Sequence, residues 1–582
     1  MSSVLDRPGG PSATPDAGSE TAASGLQARA PRRPISPERI CASLTLAAIA
    51  VIAVMSLIDL NISLASIGDS LGNAQNFFAR VGGLRFPEAG ELIELTVLTV
   101  GLVLTGTLLA AALSVPIAYL AASNTTPHPT LRGIARFIGV LTRALPDVVL
   151  AMVFVLMFSL GTLPGILAIG IHSIGMISKM FADAIEQIDE GPRLAIRAAG
   201  GSRSQEFFAG VLPQVLPSWV ATVLHRNDIN LRGSVVLGYV GVAGLGLEMS
   251  HAFKSLNYGL GLGYALVIFL LCVAMEMISS AVRVAMLGEK EAGRGAFVRL
   301  FSRGRAESGA PAVTQKYATV EQALRRPWTA QRVRNTIAGC IAVLVVIGSV
   351  VVSEIVWEDL LTFWSRVPEV AAQFWPPDFG SYGFEVIGAA MLDTIRIALA
   401  ATLITLVLSL VIGSLAARNV APNRVTHGGF RLLLVIIRGI PELILAIVLI
   451  IITGLGPQAG TIALAIGGIG LLGKLIADSF EEVPRGPERA LLATGASRMQ
   501  MYAAATFPQG SRALIGHTFY MLDTNVRAAT LLGIVGGGGV GYYLLNAGQG
   551  SNYPLVASIV IMILVTVLVV EGLAMWMRKV FR

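Results

Sequence analysis

The chain has 582 residues, 54% of them hydrophobic and 14% charged, with a net charge of +7. Soluble domains carry roughly 25% charged residues, so a soluble globular fold is excluded. The positive balance reads as cytoplasmic loops of a membrane protein rather than a nucleic-acid surface. Cys41, Cys272 and Cys340 fall in or beside apolar runs and imply neither a disulfide framework nor a zinc site.

Residues 1–39 are rich in Pro, Ser, Ala, Gly and Arg. They read as a disordered cytoplasmic tail, without the short apolar core of a cleaved signal. Cys41–Leu60 is the first stretch to reach the roughly 20 apolar residues that cross a bilayer. The apolar runs are continuous, which predicts helices over a barrel. Further spans are predicted near 91–122, 134–159, 163–186, 216–248 and 259–286. After a polar linker at 287–334, spans follow near 336–356, 386–417, 430–453, 459–480, 512–543 and 554–577. The long runs at 216–248 and 512–543 are interrupted by polar residues and end in glycines, so bends or partial re-entry are expected there.

The two sets of spans are copies. Residues 295 apart match in one register: Asn124 with Asn419, Pro146 with Pro441, Asp183 with Asp478, Pro213-Gln214 with Pro508-Gln509, and Glu276 with Glu571. Convergent hydropathy would not hold polar positions in a gapless register. The fold class is therefore all-α: a polytopic membrane protein of two tandem six-helix halves, about 12 transmembrane helices. The halves are assigned to 40–286 and 335–582. Lys and Arg concentrate in the segments that are inside when the N-terminus is cytoplasmic, which puts both termini and the linker in the cytoplasm.

The segment between the fourth and fifth spans of each half carries the strongest functional signal. It runs from Phe181 to Pro217 in the first half and from Ile476 to Gln509 in the second. Each reads as helix, turn, helix. Gly200 and Gly495 supply a turn residue without a Cβ, Ser202 and Ser497 stand at N-cap positions, and Pro213 and Pro508 bend or restart the chain. An ordinary amphipathic connector is the bland alternative; its exact duplication favours docking of a soluble partner.

These segments resemble the cytoplasmic loop of permeases in ATP-binding-cassette importers, which docks on the ATPase subunit through a coupling helix. Ala195, Gly200 and Pro213 match that pattern, as do Ala490, Gly495 and Pro508. Leu194 and Arg489 stand where the family has an acid, with Glu488 one residue earlier. Asn230–Gly246 and Asn525–Gly541, with Arg143–Asp147 and Arg438–Glu442, are similar to the permease of phosphonate-type importers. The resemblance covers both halves from about residue 90 and implies two permease copies fused in one chain, with the type I importer fold.

It also implies an importer of phosphonate or a related phosphorus oxyanion in the bacterial inner membrane. The implied partners are two ATPase subunits, an extracytoplasmic binding protein and lipid, with no nucleic acid and no cofactor. ATP hydrolysis belongs to separate subunits. The docking residues it points to are Glu186, Gly191, Ala195, Gly200, Ser202 and Pro213, with Glu481, Gly486, Ala490, Gly495, Ser497 and Pro508. The alternative is an ion-gradient-driven secondary transporter, for which parallel halves also fit.

Arg143, Arg232, Arg438 and Arg527, with Asn230 and Asn525, are the candidates for the substrate pathway. Intramembrane charges face a cavity or a partner, and a guanidinium fork suits tetrahedral oxyanions. Internal pairing is the competing reading. Asp228 and Asp523 lie four residues before Arg232 and Arg527, and Asp147 and Glu442 neighbour the other two arginines. The glycine clusters read either as close packing or as a flexible gate. Gly468–Lys474 mimics a phosphate-binding loop, but Leu475 stands where a hydroxyl is needed and no strand precedes it. The six histidines are scattered, and nothing suggests catalysis or a metal.

Overall fold

The structure, a computed structural model, describes residues 36–62, 72, 75, 79, 81, 83–287, 328 and 330–581. The expected tail and linker lie almost wholly outside the described residues. Chain contacts separate residues 1–48 from residues 49–582. In the first unit the described part is the opening of α1 (Pro37–Asp59). There the Thr45 hydroxyl donates to the Cys41 carbonyl at 2.9 Å.

The described residues form no strands, only one isolated bridge between Gly161 and Val242. In the first half α1 is followed by α2 (Ala89–Ala121), α3 (Pro129–Ala144), α4 (Asp147–Phe158), α5 (Leu163–Glu186), α6 (Glu190–Ala198), α7 (Leu212–Tyr239), α8 (Leu245–Lys254) and α9 (Tyr258–Leu287). The second half opens with α10 (Ala330–Val352) and α11 (Trp357–Gln373). It continues with α12 (Gly383–Ala416), α13 (Arg424–Gly439), α14 (Glu442–Thr453), α15 (Pro457–Glu481), α16 (Arg485–Ala493), α17 (Phe507–Ile534), α18 (Val540–Gln549) and α19 (Tyr553–Phe581).

Each half is built on one close helix pair, α2 with α5 and α12 with α15. Small residues every four positions make it possible: Gly106, Ala110, Ser114 and Ala118 on α2, and Ala401, Thr405, Ser409 and Gly413 on α12, all buried. A Cβ on Gly106 would lie 3.0 Å from the Ile166 carbonyl oxygen, and one on Gly413 2.7 Å from that of Gly473. Without a hydrophobic drive between helices in lipid, such close backbone packing is what holds them.

Eight described helices are long and apolar enough to cross a membrane, or eleven elements if three sharply bent pairs each count as one span. The eleven supply all six expected spans of the first half and five of the second. The sixth expected there, 512–543, corresponds to α17, which carries Arg512, Asp523 and Arg527. The continuous spans expected at 134–159 and 430–453 are corrected. The α3–α4 and α13–α14 pairs bend by 84° and 80°. Leu145 and Ile440 leave the helical region, with ψ of 123° and 119°, because a following proline disfavours it.

The expected run at 216–248 likewise ends at Tyr239, turns through Val240–Gly244 and restarts as α8. The glycines there are packed rather than loose. A Cβ on Gly238 would come 2.2 Å from the Gly246 carbonyl carbon, and one on Gly541 1.9 Å from the Thr530 oxygen. This geometry is that of close packing.

Packing crosses the sequence boundary between the copies. Helix α10 lies on α2, where Thr105 is hydrogen-bonded to Ser349 and Ser353, both at 3.2 Å. Helix α11 lies on α4: the Phe158 and Phe363 rings sit 5.5 Å apart, and Arg366 donates to the Met157 carbonyl at 3.0 Å. In the reverse sense, Gln458 donates to the Asn61 carbonyl at 3.1 Å.

Candidate functional site: twin helix-turn loops and exchanged ion pairs

The short helices α6 and α16 end the same way. Gly200 and Gly495 both adopt φ of +79°, a left-handed conformation that glycine takes without strain. The amides just past each helix fold back onto it. Gly200 and Gly201 donate to Arg197 and Ile196, and Gly495 and Ala496 to Leu492 and Leu491, at 2.9–3.1 Å. That pattern satisfies carbonyls left open at a helix end. Ser202 and Ser497 then start the next turn, each in a full capping box with Gln205 or Gln500.

From there the chain winds through a π-helical turn, Glu206–Val211 or Tyr502–Thr506, into α7 or α17. Pro213 and Pro508 stand at the first positions of those helices. The paired glutamines stitch the irregular turn: Gln214 donates to the Gly210 carbonyl at 2.7 Å and Gln509 to Ala505 at 2.9 Å. Gly191, Ala195, Gly486 and Ala490 are exposed, as are Leu194, Leu492 and Met499. The outer surface of both loops is thus uncovered by the other described residues.

Glu186 and Glu481 hold the loops from within. Each accepts from a backbone N–H, Ser123 at 2.7 Å or Arg418 at 2.8 Å, and from an arginine, Arg136 or Arg431. Each loop holds a second carboxylate close by. Asn124 donates to Glu190 at 2.8 Å, and Asn419 to Glu488 at 2.9 Å. Burial pushes the Glu190 carboxyl up, but bonds from Asn124 and Arg193 outweigh it and hold the carboxyl below its ordinary value. Asn124 and Asn419 are visible in the sequence as a repeated pair. Their contacts lie more than 60 residues away, and no local pattern announces them.

The four arginines are all paired with carboxylates. Arg232 meets Asp228 at 2.8 Å and Arg527 meets Asp523 at 2.6 Å, the one-turn pairs that the spacing predicts. The other two reach across the molecule. Arg143 of the first half pairs with Glu571 of the second, and Arg438 of the second with Glu276 of the first. Since these residues are repeat partners, the halves exchange arginines through equivalent pairs. Arg232 strengthens one of them, donating to the Arg438 carbonyl and lying 3.8 Å from Glu276.

Asp147 and Glu442, expected beside these arginines, form no ion pair among the described residues; Asp147 accepts from the Val148 N–H at 2.9 Å. Glu276 and Glu571, which take their place, were visible only as a repeated pair. Asn230 and Asn525 are buried. Their amides donate to Thr107 and Thr402 at 2.8 Å, clamping α7 to α2 and α17 to α12. Gly468–Lys474 lies inside α15, where a Cβ on Gly470 would meet the Arg438 backbone at 2.8 Å. No group of residues suited to hold a metal occurs among the described residues.

The family model described as "Binding-protein-dependent transport system inner membrane component" matches residues 114–285 and again 409–582. A phosphate-import permease protein, PhnE, of Mycolicibacterium smegmatis is 39% identical over 499 residues, covering 85% of this chain and 86% of its own. A phosphite transport system permease protein, PtxC, of Stutzerimonas stutzeri is 37% identical over 32% of this chain and 67% of its own. A putative cryptic phosphonate transport system permease protein, PhnE2, of Escherichia coli K12 is 34% identical over 20% of this chain and 96% of its own. These matches overturn the secondary-transporter alternative. With the same domain matched twice at the register of the repeat, the chain belongs to the binding-protein-dependent transport system inner membrane components, as two permease copies in one polypeptide.

Proposed function

We propose that the chain is the permease of an ATP-driven importer for phosphate, phosphite or phosphonate. Two ATP-binding-cassette subunits drive it from the cytoplasm, and an extracytoplasmic binding protein delivers the anion. The observation that carries this reading is the duplicated loop. Two exposed short helices close on a glycine at φ +79° and a serine capping box, in a chain whose relatives are named for these anions. Each loop continues into a long helix, α7 or α17, that bears an arginine, so a push on the loop is passed to the membrane charges.

Both termini are placed in the cytoplasm, with a tail at 1–39, permease copies at 40–286 and 335–582, and a linker at 287–334. Glu186, Gly191, Ala195, Gly200, Ser202 and Pro213, with Glu481, Gly486, Ala490, Gly495, Ser497 and Pro508, form the two docking segments. Arg143, Arg232, Arg438 and Arg527 serve the pathway as paired charges that bind the anion weakly. Asn230 and Asn525 hold the pathway helices together. Alternating access then rests on ATPase subunits that contact the two permease states differently.

The test is uptake of radiolabelled phosphate and of methylphosphonate by vesicles containing the purified complex. Uptake is expected only with internal ATP. Gly495→Pro, which forces a φ near −65° where +79° is needed, is expected to abolish it with the protein still inserted. Uptake that persists without ATP, or normal uptake by Gly495→Pro, would overturn the reading.

A further inference from the structure

Helix α11 carries three distinct faces. Leu360, Phe363, Val367 and Val370 turn inward onto Met157, Phe158 and Leu163 of the first half. Glu358, Thr362, Ser365 and Glu369 form an exposed polar face. Trp357, Leu361 and Trp364 recur at helical spacing and are 60%, 79% and 70% exposed. At 100° per residue this last stripe points about 100° away from both the polar face and the protein-facing one. A helix wholly in water has no use for that third face, and a transmembrane helix has none for the second.

What covers the stripe is indicated by what precedes it. On α10, Ile341, Leu344, Ile347 and Val351 are all more than half exposed. The 18 residues Asn335–Val352 form an uncharged, mostly apolar run long enough to be read as a membrane span. The chain then bends by 61° between Gly339–Val352 and Trp357–Gln373. Exposed apolar side chains thus continue from Val351 through Val356 onto α11, with Glu354 in the turn between them. Trp328 and Trp357 flank α10, whose 23 residues span about 34 Å at 1.5 Å per residue, against a hydrocarbon core of about 30 Å. Tryptophan at both ends of a span marks the two membrane–water interfaces.

We propose that α11 lies in the membrane–water interface, with Trp357, Leu361 and Trp364 in the boundary between headgroups and acyl chains. Its polar face meets water, and its third face holds the first half through Phe363 and Arg366. A helix so placed buries its apolar face by about 5–10 Å.

The test places a spin label at position 361, as Leu361→Cys, in the full chain in lipid nanodiscs, with Cys41 and Cys340 changed to Ser. Labels at Thr362→Cys and Leu344→Cys serve as references, and Trp357→Cys is a second reporter should Leu361→Cys fold poorly. Collisional relaxation by oxygen and by a water-soluble nickel chelate gives depth. The labels at 361 and 357 are expected to be oxygen-accessible and shielded from nickel, shallower than 344 and deeper than 362. Equal nickel access at 361 and 362 would overturn the proposal. So would shielding that appears only when a binding protein is added, since the stripe would then be a protein-docking face.

Discussion

The two loops share a scaffold and differ in what holds it. The glycine turn, the serine box and the π turn are the same in both, and so is the asparagine that grips a carboxylate. In the first loop, however, Arg193 bridges Glu190 and the buried Glu206, and Arg197 also reaches Glu206. In the second, Glu488 stands at the repeat position of Arg193 and accepts from Asn419 and Thr506. Glu206 is replaced there by Met501. Gln214 is also bonded to both the N–H and the carbonyl of Asp189, whereas the counterpart of Asp189 is Pro484, which has no N–H to give. The first loop is fastened by an internal ion-pair network and the Gln214 cross-links. The second has no such network among the described residues and is held by the bonds to Glu488 and by Arg498, which donates to the Ala421 and Pro422 carbonyls. The chain thus carries two loops of one shape held by different contacts.

The comparison breaks most visibly at Glu206. Removing one partner of a buried ion pair costs about 3–5 kcal/mol when the other charge is left unpaired. Arg193 keeps Glu190 as a partner, so the loss of its bond to Glu206 is expected to cost about 2–3 kcal/mol. Glu206→Ala is therefore expected to open residues 190–211 to amide hydrogen exchange by that order while residues 485–506 keep their protection. Equal loss in both loops would show that the first is not held by its charges. The glutamines come next. Gln214→Leu loses two bonds to Asp189 that Gln509→Leu never had, each at the low end of about 0.5–1.5 kcal/mol for an exposed pair. Exchange in the first loop is expected to rise by about 1 kcal/mol more than in the second. Ser202→Ala and Ser497→Ala test what the loops share. Each is expected to cost about 1 kcal/mol, with no difference between halves, read from exchange of the Gln205 and Gln500 amides.

The shared scaffold is what the sequence makes legible. A glycine after an alanine-rich helix, a serine three residues before a glutamine and a Pro-Gln pair are local signals, and Gly200, Ser202 and their repeats sit where those signals place them. The differences between the loops are tertiary. Asn124 reaches Glu190 across 66 residues, and Arg143 reaches Glu571 across 428. A repeat register shows that such residues are paired in sequence, but only packing shows that partners are exchanged between the halves. The bends at Pro146 and Pro441 had a local signal, the residue before proline, which a continuous apolar run masks. The crossing of α10 onto the first half had none, since its apolar surface fits any neighbour in lipid.

The smallest effect isolates the charge that distinguishes the first loop. Glu190 has its carboxyl held below the ordinary 4.5 in the folded loop, chiefly against burial, by the Asn124 and Arg193 bonds. A carboxyl depressed in this way stabilises the fold fully above its ordinary value and loses that contribution as pH falls through the folded one. The first loop is therefore expected to behave alike at pH 8 and pH 6, and to loosen only as pH drops below about 4.5, where the unfolded chain takes up a proton that the folded loop resists. Salt weakens the effect because Glu190 is partly exposed. Exchange rates corrected for their intrinsic pH dependence give the readout. Glu190→Gln, which cannot titrate, is expected to flatten the acid response of residues 190–198. If the slope survives in that variant, some other group titrates, and the fastening of the first loop by Glu190 and Arg193 loses its support.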